Sequence, residues 1–78
     1  MNFTVYSKDG CPFCDRIKQV LTLAKLLHVE YDLNKDFNRQ EFYEEFGNGA
    51  TFPQVTCNGK KLGGCTDTVH YLREHNFV

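Results

Sequence analysis

Two cysteines separated by two residues, Cys11-Pro12-Phe13-Cys14, are the part of this 78-residue chain best suited to chemistry. A thiolate is both a nucleophile and a metal ligand, so the pair reads either as a redox couple or as half of a zinc site. For zinc, Cys57 and Cys65 would have to complete the ligand set. Seven residues separate them across an expected hairpin, without a second Cys-x-x-Cys, which is poor ligand spacing. The histidines help no more: His28 sits at a helix end, and His70 and His75 do not share one helix face. Cys57 follows Val55 by two on one strand face and reads as a buried, inert thiol. Redox chemistry is the simpler reading, with Cys11 attacking and Cys14 resolving.

Such a couple has to be held where a strand ends and a helix begins. Phe3 and Val5 alternate with Thr4 and Tyr6 as a strand leading toward Cys11. Ile17, Val20, Leu21, Ala24 and Leu27 recur at helical spacing, which predicts a helix from about Pro12 to Leu27, with Pro12 in its first turn. The unpaired N–H groups of that turn and the helix dipole favour an anion at Cys11, which lowers its pKa and raises its thiolate fraction. Lys8 adds positive potential, and Cys14 lies in the first turn, within reach of a mixed disulfide on Cys11.

The remaining elements follow from local signals. Val29, Tyr31 and Leu33 alternate as a second strand. Asn38 with Glu41 forms a capping box for a second helix, which carries Phe42 and Phe46 and ends at Gly47. Residues 53–57 read as a strand, Asn58-Gly59 as a hairpin turn, and 60–62 as a fourth strand. Gly63-Gly64 breaks that strand, and Thr66 or Asp67 can cap a last helix whose Val69 and Leu72 face the core. Tyr31, Phe42, Tyr43, Phe46 and Tyr71 read as core or half-buried, and Glu41, Glu44 and Glu45 as a solvated face. A crossover helix makes the first two strands parallel, and the last two form an antiparallel hairpin. The expected fold is α/β of thioredoxin type, a four-stranded mixed sheet with three helices, in one domain over residues 1–78.

Bulk properties narrow the function. The chain is 41% hydrophobic and 24% charged, with a net charge of −1 and no run of Lys or Arg, which argues against nucleic-acid binding and polybasic membrane anchoring. The longest apolar stretch, Val20 to Leu27, is interrupted by Thr22 and Lys25 and is too short to span a bilayer. No targeting segment is visible before the cysteine motif, so the expected location is cytoplasmic.

Taken in order, the motifs make the chain resemble the glutaredoxin family along nearly its whole length. Cys11-Pro12-Phe13-Cys14 is similar to the family's Cys-Pro-Tyr-Cys centre, Thr51-Phe52-Pro53 to its Thr-Val-Pro loop, and Gly63-Gly64-Cys65-Thr66-Asp67 to its Gly-Gly-Cys-x-Asp turn. The resemblance implies a glutathione-binding groove that includes Phe13 and Thr51. In it, Lys8 and Gln40 would hold the glycine carboxylate, with Arg39 as a substitute for Gln40. Phe52 would pair its backbone with the cysteine portion. Pro53 would be cis, turning the chain and freeing the preceding backbone groups. Gly64 would permit close approach. The N–H groups of Cys65 and Thr66, with the Asp67 carboxylate, would receive the γ-glutamyl end. Two residues depart from the family pattern: Phe13 lacks the usual hydroxyl, and Phe52 adds bulk beside the groove.

The implied activity is reduction of glutathione mixed disulfides and protein disulfides, with glutathione as co-substrate, no tightly bound cofactor and no metal. The implied partners are glutathione and disulfide-containing or glutathionylated proteins, ribonucleotide reductase among the candidates, and the implied state is a monomer. Three alternatives compete. One is a glutaredoxin-like electron donor to ribonucleotide reductase reduced by thioredoxin reductase, which needs no glutathione groove. Another is an iron–sulfur carrier in which two chains share a cluster through Cys11 and glutathione, against which Pro12 weighs by stiffening the loop. The last is the structural zinc domain already set against the cysteine spacing.

Overall fold

The computed structural model describes residues 2–78, and its core is built where the sequence periodicities cross. Strand β1 (Phe3–Ser7) buries Phe3, Val5 and Ser7 on one face and turns Thr4 and Tyr6 to the other. Helix α1 (Pro12–Leu23) lays Cys14, Ile17 and Leu21 onto the first face. Strand β2 (His28–Asp32) and helix α2 (Arg39–Phe46) follow, then the hairpin of β3 (Gln54–Cys57) and β4 (Lys60–Gly63), and finally helix α3 (Cys65–Glu74). The sheet order is β2-β1-β3-β4; β1 and β2 are parallel and the other pairings antiparallel. This is the mixed, thioredoxin-type sheet expected from the order of elements.

Helices α1 and α3 pack together on the face that carries Phe3, Val5 and Val55, with Leu72 fully buried between them and the sheet. Burying a side chain such as Ile17, Leu21 or Leu72 contributes about 1.5–3 kcal/mol. The opposite face of the sheet holds a second, aromatic cluster. There Tyr6 lies edge-on to Phe46 (5.0 Å between centroids) and to Phe37 (5.5 Å).

Three local expectations change. The first helix stops at Leu23, not near Leu27. Lys25 takes a left-handed conformation (φ 58°), its N–H bonds to the Thr22 carbonyl, and the Leu26 N–H reaches back to Leu21. These paired bonds close a Schellman motif without the glycine that usually signals one. Leu27 is left exposed, and His28 opens β2 instead of ending the helix.

The second strand's apolar alternation faces away from the main core. Register pairs Val29 with Thr4 and Tyr31 with Tyr6, so both share the aromatic face at the sheet edge, where they are exposed. Tyr31, expected to be at least half-buried, only flanks Tyr6 at 5.6 Å. The core-side residue Glu30 is polar and is reached by Lys18 of α1 at 2.8 Å.

The third change concerns α3. It starts at Cys65, with Gly64 as its N-cap and no side-chain capping bond, so Thr66 and Asp67 lie inside the first turn. Among the described residues, no helix is long and apolar enough to cross a membrane.

Candidate active site

Cys11 is the N-cap of α1. Its extended backbone (φ −110°, ψ 101°) lets its sulfur accept a hydrogen bond from the Cys14 N–H at 3.2 Å. A sulfur seated there meets a backbone donor and the positive end of the helix dipole, the environment that stabilises a thiolate. Cys11 and Cys14 are joined as a disulfide, with Cα atoms 5.2 Å apart. Cys14 is wholly buried, whereas Cys11 keeps 6% exposure. Of the two, Cys11 is the one that reaches the surface. Phe13, between them, is 55% exposed.

Beside the couple runs a groove of about 320 Å³. One wall is Thr51, Phe52 and Pro53, and the other is Gly64, Cys65, Thr66 and Asp67, with Phe13 at the cysteine end. Gln54, and Gly63 from the Gly-Gly turn, also line it, although neither was among the expected groove residues. The Phe52–Pro53 peptide is cis. Among the described residues, neither the Phe52 N–H nor its carbonyl takes part in a backbone hydrogen bond. The opening N–H groups of α3 are likewise free of side-chain caps, since Gly64 has no side chain to offer. Donors without internal partners at a helix start form a seat for an anion.

The strict need for glycine falls at Gly63 rather than Gly64. A Cβ on Gly64 would meet the Pro53 carbonyl oxygen at an ordinary 3.5 Å. Gly63 has φ +104°, and a Cβ there would lie 2.5 Å from Asp67 Oδ2 and 3.0 Å from Asp67 Cβ. Gly63→Ala should therefore displace the Asp67 carboxylate and strain the end of β4, costing about 1–3 kcal/mol of stability. A chemical denaturation midpoint equal to wild type would contradict this.

Lys8 and Gln40 do not line the groove wall, and they part company. Lys8 Nζ stands 5.3 Å over the Phe52 ring. The Gln40 amide instead donates to Glu44 on the outside of α2 at 3.2 Å. The cation on α2 that faces Phe52 is Arg39, with its guanidinium 6.0 Å above the ring. Phe52 itself stacks on buried Phe42, 4.1 Å between centroids and 9° from parallel. The bulky residue at this position thus ties the loop to α2 and draws two cations to the groove's end, an arrangement worth about 0.5–1 kcal/mol per cation at exposed sites.

The other two cysteines are buried and free. Burial pushes the Cys65 thiol above its ordinary pKa, opposed only in part by Arg16. In the reduced protein, iodoacetamide at neutral pH is expected to label Cys11 and spare Cys57 and Cys65. Peptide mapping after brief exposure checks this, and early label on Cys65 would refute it. Among the described residues, no group of three or more His, Cys, Asp or Glu side chains is placed to hold a metal ion.

The chain's likeness to known proteins agrees with this geometry. The glutaredoxin family pattern matches residues 3–62. Glutaredoxin-C6 of rice (Oryza sativa subsp. japonica) is 38% identical over 77 residues, covering 95% of this chain and 69% of its own. The chloroplastic glutaredoxin-C4 of rice is 36% identical over 77 residues, and the present chain spans only 58% of it. Among solved structures, wheat glutaredoxin superposes with a TM-score of 0.79 at 29% identity, covering 96% of this chain and 72% of the wheat chain. With the family pattern running through the cysteine couple and the cis-proline loop, and a 38% identical relative matched over 95% of this chain, the chain belongs to the glutaredoxin family of thiol–disulfide oxidoreductases.

Proposed function

We propose that the protein is a glutathione-dependent oxidoreductase that reduces glutathione mixed disulfides and protein disulfides. The observation that carries this reading is the groove beside Cys11. It holds Asp67 and the start of α3 on one wall and unpaired Phe52 backbone on the other, with Lys8 and Arg39 over the Phe52 ring beside it, which suits a tripeptide with a carboxylate at one end and an α-amino acid at the other. Lys8 and Arg39 suit the glycine carboxylate, the Phe52 backbone suits the cysteine portion, and the start of α3 with Asp67 suits the γ-glutamyl carboxylate and ammonium.

The chemistry balances with these two thiols. The Cys11 thiolate attacks the glutathione sulfur of a mixed disulfide. The bond to the substrate cysteine breaks, that thiolate leaves and takes up a proton, and Cys11 holds the glutathionyl group. A second glutathione thiolate attacks the same glutathione sulfur, expelling Cys11 as thiolate and releasing glutathione disulfide. On a protein disulfide, Cys11 instead captures one substrate cysteine. Cys14 then attacks the Cys11 sulfur, releasing the reduced protein and forming the Cys11–Cys14 disulfide.

The test is a turnover assay on a glutathionylated peptide with two reductants. Rapid turnover with glutathione and glutathione reductase, and little with thioredoxin reductase, is the expected result. The reverse pattern would replace this reading with that of a thioredoxin-reductase-driven donor.

A further inference from the structure

A second groove, of about 330 Å³, opens between α1 and α3 on the far side of Phe13. Phe13, Arg16 and Val20 line it from α1, and Val69, His70 and Arg73 from α3. It meets the first groove at Phe13, Cys65 and Thr66, which line both. Its floor is apolar, since Val20 and Val69 are half-buried against the core. Its rim is cationic. The Arg16 guanidinium lies 5.8 Å over the exposed Phe13 ring, and no Asp or Glu lines the groove. Among the described residues, neither Arg16 nor Arg73 is ion-paired. Arg73 also complements the C-terminal end of the α3 dipole, but that does not account for Arg16 lining the same groove from α1. The chain as a whole carries a net charge of −1, so this face runs against the overall sign.

A cysteine captured by Cys11 belongs to a polypeptide that must continue away from the sulfur. The second groove starts at Phe13, beside the couple, and gives such a chain a path away from it between α1 and α3. We infer that it seats the segment flanking the substrate's disulfide cysteine, an extended peptide with an apolar residue against Phe13, Val20 and Val69 and an acidic residue between Arg16 and Arg73. This rests on Cys11 being the attacking thiol. The capture step needs no further reactant: Cys11 attacks the substrate sulfur, the substrate's second cysteine leaves as thiolate, and Cys14 later frees the first.

The experiment compares two disulfide-bonded peptides identical except for Glu or Lys beside the attacked cysteine, with the mixed disulfide of glutathione and 2-mercaptoethanol as a small control. Wild type should reduce the Glu peptide roughly tenfold faster than the Lys peptide, because rim charges set encounter rate and register. That preference should shrink as salt screens it. Arg73→Glu should erase the preference, mainly by slowing the Glu peptide roughly fivefold. Arg73→Lys should keep most of it, and both variants should turn over the small control at the wild-type rate. Equal rates for the two peptides in wild type, or an Arg73→Glu variant that keeps the preference, would overturn the proposal. Failure of glutathione to drive the small control, with peptide preference intact, would instead remove the glutathione reading and leave this groove standing.

Discussion

Cys11→Ser should lose activity on every substrate, while Cys14→Ser should lose only part of it. Replacing the nucleophilic sulfur removes the group that forms the mixed disulfide, a loss on the order of a thousandfold or more. Cys14 has a narrower task. It is wholly buried beneath Cys11 and reaches only a sulfur already bound there. Small glutathione mixed disulfides are cleared by a second glutathione, so Cys14→Ser should stay within a few-fold of wild type on them. Protein disulfides leave the enzyme tethered to its substrate, and there Cys14→Ser should fall by roughly a hundredfold. Steady-state rates of both variants on both substrates test the division. An active Cys11→Ser enzyme on either substrate would overturn the mechanism.

Lys8→Ala and Asp67→Ala should each raise KM for a glutathione mixed disulfide about tenfold, the size of one charge-assisted hydrogen bond. The two side chains stand at opposite ends of the proposed ligand, so the double variant should show nearly additive losses. Neither takes part in an ion pair among the described residues, and Asp67 is exposed, so thermal midpoints should stay close to wild type. Arg39→Ala should resemble Lys8→Ala more than Gln40→Ala does, because Arg39 and not Gln40 faces Phe52. Unchanged KM in both Lys8→Ala and Asp67→Ala would place glutathione elsewhere.

Much of this architecture was legible because short-range chemistry writes it. The Asn38–Glu41 capping box is present with both reciprocal bonds, and Asn58-Gly59 makes the hairpin with both residues at positive φ. The cysteine couple falls at the strand-to-helix junction that its chemistry requires. Other features depend on contacts that spacing does not encode. The end of α1 is set by Lys25 in a conformation usually left to glycine, which carries no composition signal. Alternation in β2 was real, but pairing with β1 decides which face it serves, and that face is the aromatic one. Adjacent residues on a helix differ in direction by about 100°, so choosing between Arg39 and Gln40 needed the phase of α2 against Phe52. The need for Gly63 arises only once β4 and the first turn of α3 are folded together. The cationic groove between α1 and α3 is tertiary throughout; Arg16 and Arg73 lie far apart in sequence and share nothing there but charge.

The most direct measurement asks which sulfur carries glutathione. Reduced Cys14→Ser protein, treated with a glutathione mixed disulfide at neutral pH and quenched in acid, can be weighed intact and then mapped by peptide. One glutathionyl group per chain, located on Cys11 and removed by added glutathione, is the expected result. Glutathione found on Cys57 or Cys65, or no adduct while turnover continues, would contradict Cys11 as the thiol through which the protein works.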